Sequence, residues 1–86
     1  MNAVDRLEWV LELARQMGYE VRHEWLGGAR GGCCLVGGRR LLFVDVSASV
    51  PEQLEQVVDS LRHDPLMNGI SLSTEQRAVL GWSRAA

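Results

Sequence analysis

Apolar residues at Ala3, Val4, Leu7, Val10, Leu11, Ala14 and Met17 recur every three or four positions, which predicts an amphipathic helix over residues 2 to 17. Asn2 is placed to cap its start, Asp5 sits in the first turn where the helix dipole favours a negative charge, and Gly18 stands where a left-handed residue ends a helix. Trp9 and Leu13 lie beside this stripe and beside each other. At about 100° per residue they widen the apolar arc to roughly 220°, more than contact with one sheet requires.

From Tyr19 the period changes to two. Tyr19, Val21, His23 and Trp25 alternate with Glu20, Arg22 and Glu24, as in a half-buried antiparallel strand with Tyr19 and Trp25 toward the core. A glycine-rich stretch over residues 27 to 32 leads to Cys33-Cys34-Leu35-Val36, and Gly37-Gly38 then separates this run from the one over Arg39 to Val46. Two glycines between apolar runs mark a tight hairpin with a primed turn. The register that follows sets Val36 opposite Arg39, Leu35 opposite Arg40, Cys34 opposite Leu41 and Cys33 opposite Leu42. The third strand is apolar on both faces, so either it is central in the sheet or its second face is covered by another chain.

Ser49-Val50-Pro51-Glu52 has capping-box spacing with proline in the first turn, and Val50, Leu54, Val57, Val58 and Leu61 trace a narrow apolar stripe. This second helix ends at Arg62 or His63, because Asp64 precedes Pro65 and that position disfavours helical geometry. Ile70 and Leu72 suggest a short extended piece. Ser73-Thr74-Glu75-Gln76 opens a last short helix through Ala78, Val79 and Leu80 toward Trp82. The fold class expected is α+β over residues 1–86 as one small domain: a two-layer sandwich, a three-stranded antiparallel meander with two helices on one face, and a short C-terminal helix.

Length and composition narrow the function. A chain of 86 residues with 47% hydrophobic and 23% charged residues fits one globular core and is neither disordered overall nor large enough for a deep enclosed chamber. The net charge of −2 supplies no global positive field for nucleic acid or anionic lipid. The longest apolar run, Leu41 to Val44, is too short to span a membrane, and the first six residues lack the pattern of a signal peptide. With two adjacent cysteines and no disulfide framework, the expectation is a cytoplasmic protein that needs no cofactor.

The stretch from Gly18 to Leu61, with Glu24-Trp25-Leu26-Gly27-Gly28, Gly31-Gly32, Cys34, Gly37, Leu42-Phe43-Val44-Asp45 and Glu52-Gln53-Leu54, resembles a group of short, uncharacterised bacterial proteins. The resemblance implies a free-standing bacterial protein and carries no catalytic residue over. Nine arginines beside no lysine fit a GC-rich genome and are not evidence of guanidinium chemistry.

The candidate chemistry is sparse. Cys33, Cys34, His23 and His63 make a Cys2His2 set by count, but adjacent residues on a strand point to opposite faces and cannot converge on one metal ion. At least one of the thiols is expected to be buried as a small apolar group. A Cys34, His23 and Asp45 triad would need three neighbouring strands in register, and Asp45 lies about 13 Å along the strand from the partner of Cys34. The glycine loop reads either as a flexible connection or as an anion nest in which Gly28, Arg30, Gly31 and Cys34 would bind a ligand. Arg22, Arg30, Arg39 and Arg40 form a mixed-charge surface with their acidic neighbours, not a nucleic-acid patch. The acidic pairs Glu8 with Glu12 and Glu52 with Glu55 fall on solvent faces of helices.

Apolar surface remains in excess: Trp9 and Leu13 on the first helix, Leu41 and Phe43 on the third strand, and Leu80 with Trp82 near the end. Such surface marks a contact with another molecule, unless the last helix folds over the second face of the sheet. The expected function is therefore a small protein-interaction module with interface residues Trp9, Leu13, Leu41 and Phe43. Its partner would be a second copy or another protein, not nucleic acid or membrane. The alternative is a small ligand-binding protein or thiol enzyme using the Gly27–Gly32 loop, Arg30 and Cys34.

Overall fold

The computed structural model describes residues 2–29 and 31–81. Helix α1 (Ala3–Gln16) is followed by strand β1 (Tyr19–Glu24), strand β2 (Gly32–Val36), strand β3 (Arg39–Asp45), helix α2 (Val50–Arg62), a 3-10 turn over Pro65–Gly69 and helix α3 (Thr74–Val79). The α+β class is as expected. The strand order is not: the sheet runs β1-β3-β2, with β3 parallel to β1 and antiparallel to β2. The antiparallel meander is thereby corrected to a mixed sheet.

The reason lies in the side chains. β3 carries Leu41, Leu42, Phe43 and Val44 in a row, so it gains most at the centre, where both edges are paired and a strand on either side flanks its side chains. β1 carries Glu20, Arg22 and Glu24 and suits an edge, where charges discourage further pairing. The connection over residues 25–31 is long enough to carry the chain across β3, about 10 Å at two strand spacings. It leaves the central slot for β3 to fill after the hairpin.

The hairpin register is as read from the sequence, from Val36 opposite Arg39 to Cys33 opposite Leu42. Gly37 and Gly38, with φ of 56° and 79°, form the primed turn that matches the strand twist. α1 begins at Asn2, whose side chain accepts the Asp5 N–H at 2.8 Å. Ser49 and Glu52 form the capping box of α2, which ends at Arg62 with His63 as its cap. A second capping box, Ser73 with Gln76, opens α3. Ile70 is extended but residues 70–72 join no strand ladder.

The core lies between one face of the sheet and the helices. Val10, Leu11, Leu13 and Ala14 of α1 meet Leu42 and Val44 of β3, Val57 and Leu61 of α2, and Met67 and Leu80. Each fully buried aliphatic side chain there contributes roughly 1.5–3 kcal/mol. Leu13, expected at an interface, is instead in this core at 5% exposure, and Trp9 packs half-buried against it. The widened arc of α1 thus meets α2 as well as β1. Leu80 is completely buried, which ties the end of α3 to the helical layer and not to the far side of the sheet.

Candidate functional site

Alternation and register assign two faces to the sheet. Tyr19, Val21, His23, Arg40, Leu42, Val44, Cys33 and Leu35 share the helix-side face, and Glu20, Arg22, Arg39, Leu41, Phe43, Cys34 and Val36 share the outer one. The outer face divides into two halves. Toward β1, Arg22 lies 3.6 Å from Glu20 and 3.5 Å from Glu24, and Arg39 pairs with Glu20. The Arg39 and Arg22 guanidiniums hold the Glu20 carboxyl below the usual carboxylate range. Toward β2 the surface is apolar: Phe43 is half-buried, and a shallow depression is lined by Leu26, Gly31, Gly32, Cys33, Cys34 and Phe43. Leu41, at 8% exposure, is largely shielded by its position on the central strand.

β2 itself is an edge strand without a charged residue. Leu35 is 72% exposed and Val36 53%, and both cysteines are exposed, against the expectation that at least one is buried. The correction follows from the strand order, since an edge strand has only one neighbour to cover it. Trp25, expected toward the core, is 75% exposed because β1 ends at Glu24 and the chain turns away from the sheet. His23 is exposed as well.

The glycine loop is organised by Asp45, which is 1% exposed at the end of β3. Its carboxylate accepts the Leu26 N–H at 3.0 Å, the Gly28 N–H at 3.3 Å, and the Ser47 N–H and hydroxyl at 2.9 and 2.6 Å. Hydrogen bonding, chiefly from the Ser47 hydroxyl, holds this carboxyl below its ordinary range despite burial. The Gly31 N–H donates to the Gln56 side chain at 3.4 Å. Two of the donors read as an anion nest are therefore engaged by the chain's own side chains. Arg30 and Trp82 lie outside the described residues.

A second polar cluster joins the start of the sheet to the turn after α2. Tyr19 donates to the Asp64 carboxylate at 2.6 Å, Arg40 pairs with the same carboxylate, and the Arg40 guanidinium sits 4.5 Å from the centre of the Tyr19 ring. Burial opposes ionisation of Asp64, yet the bonds from Tyr19 and the Leu66 N–H, with the Arg40 charge, hold its carboxyl low. Nothing in the linear sequence ties Asp64 to Tyr19, which lie far apart in the chain.

Cys34, His23 and Asp45 do not come together as a triad. Asp45 is engaged by Leu26, Gly28 and Ser47, and Cys34 lies on the opposite face from His23. Among the described residues no group of three His, Cys, Asp or Glu side chains is placed to hold a metal ion. None of the described helices is long and apolar enough to cross a membrane.

Fold and surface together define a small α+β domain with a mixed three-stranded sheet, helices on one face, and an apolar strip along the opposite face and one edge. No family model matches the chain, and neither the curated proteins nor the solved structures yield a match.

Proposed function

We propose that this chain is a small bacterial, cytoplasmic protein-interaction module that associates with itself through the β2 side of its sheet. The observation that carries the reading is the apolar strip of Phe43, Cys34 and Val36 on the face from which the helices are absent, reaching an edge strand whose Leu35 is exposed toward the other face. A contiguous apolar surface rimmed by charge marks an interaction site in proteins of this size. The Glu20, Arg22, Glu24 and Arg39 lattice supplies the rim. A homodimer satisfies such a patch economically, because a two-fold axis brings the same residues together from both copies.

Native mass spectrometry of the purified protein tests this directly. A dimer of unmodified mass that Phe43→Glu converts to monomer supports the module, and a monomer at all concentrations overturns it.

A ligand or thiol site is favoured by one observation, the depression that brings Gly31, Gly32, Cys34 and Phe43 together. That reading requires a monomer carrying extra mass in the same spectrum.

A further inference from the structure

We infer that two copies join edge to edge through β2, in antiparallel register with the two-fold axis passing beside Cys34, so that the two sheets become one of six strands. The inference rests on the self-association proposed above and specifies its geometry. It starts from hydrogen-bond direction. In a hairpin closed by two residues, Val36 and Arg39 form a hydrogen-bonded pair, and pairs alternate from there. Val36, Cys34 and Gly32 therefore direct their backbone groups at β3. Cys33 and Leu35 direct their N–H and C=O groups away from the sheet, along its free edge.

A second β2 brought in antiparallel and centred on Cys34 places Cys33 opposite Leu35 of the partner subunit, and Leu35 opposite Cys33 of the partner subunit. Both are residues whose backbone groups face the seam. Each such pair exchanges two hydrogen bonds, so the two pairs make about four across the interface. Centring on Leu35 or Cys33 instead leaves one of the two outward-facing residues paired outside the five-residue strand. The Cys34-centred register alone matches every residue of Gly32–Val36 with a strand residue.

Side chains agree with this register. On the outer face Val36 lies across from Gly32 of the partner subunit, a large side chain against none. On the helix-side face the exposed Leu35 gains Cys33 of the partner subunit as a neighbour. Neither β2 carries a charge to repel its copy, whereas the other edge of the sheet, β1, carries Glu20, Arg22 and Glu24. The two Cys34 residues form a non-hydrogen-bonded pair on the axis, with Cα atoms about 4.5 Å apart, which is within the range a disulfide spans.

The test uses that pair. Diamide, a two-electron oxidant that takes up both thiol hydrogens as the disulfide forms, should give covalent dimer from the intact chain and from Cys33→Ser, and about 10-fold less from Cys34→Ser. Leu35→Pro removes an N–H that points away from β3, so the monomer keeps its fold by circular dichroism, while the dimer dissociation constant rises at least about 10-fold. A dimer that Phe43→Glu disrupts but Leu35→Pro leaves intact, or that cross-links through Cys33, overturns the edge pairing and leaves self-association standing. A monomer at every concentration overturns both.

Discussion

The backbone of Gly31 passes so close to the Phe43 carbonyl that a Cβ on residue 31 would lie 2.1 Å from the carbonyl oxygen. No rotamer change can relieve this contact, because the obstacle is main chain of the central strand. Gly28 and Gly37 require glycine for a different reason, positive φ with open space around them. Gly31→Ala should therefore cost more than Gly28→Ala, about 3 kcal/mol against about 1 kcal/mol. Urea unfolding of the two variants checks the order. Equal midpoints would show that the entry to β2 can shift without penalty.

Asp45→Asn should loosen the Leu26–Gly28 turn, because an amide cannot accept all the hydrogen bonds that the carboxylate now receives. Amide exchange at Leu26 and Gly28 should accelerate and Tm should fall by roughly 5–10 °C. The pH dependence has a definite sign. The folded-state pKa of Asp45 is lowered, so its contribution is complete above the ordinary carboxylate value of about 3.9 and is lost as pH falls through the folded-state value. Stability of the variant should decline less steeply in acid than that of the parent. An identical acid limb would show that Asp45 titrates normally.

Tyr19 is the only tyrosine, so its ionisation can be read from phenolate absorbance. Burial, reinforced by the hydrogen bond to Asp64 and by the neighbouring Cys33, pushes its hydroxyl well above the usual value. The folded chain should show little phenolate at about pH 10, where an unfolded tyrosine is half ionised. Because the folded-state pKa is raised, this contribution to stability is full below about pH 10 and is lost as pH rises through the folded-state value. Asp64→Ala should bring the titration back toward the ordinary range, and an unchanged titration would separate Tyr19 from Asp64.

Leu13→Ala should destabilise the chain by about 2–5 kcal/mol, the cost of a cavity among α1, α2 and β3. It should not alter the subunit count measured well below the transition. A variant that stays stable and becomes monomeric would place Leu13 at a surface after all.

What the sequence determined by itself is local. Asn2, Ser49 and Ser73 cap three helices because a side-chain oxygen and an N–H a few residues on need no distant partner. Gly37-Gly38 sets the hairpin register because a two-residue turn permits one alignment. The tertiary structure decided what depends on competition among segments. β3 outcompetes β2 for the centre because its apolar run gains most from having a strand along each edge, and that choice runs β1 parallel to β3 and leaves β2 at an edge. From it follow the exposure of Cys33, Cys34 and Leu35. The burial of Leu13 has the same kind of cause, since α1 met α2 as well as the sheet, and the length of its apolar arc could not say which surface would cover it. Asp64 with Tyr19, and Asp45 with Gly28, join segments far apart in the chain, and only the folded arrangement brings donor and acceptor within bonding distance.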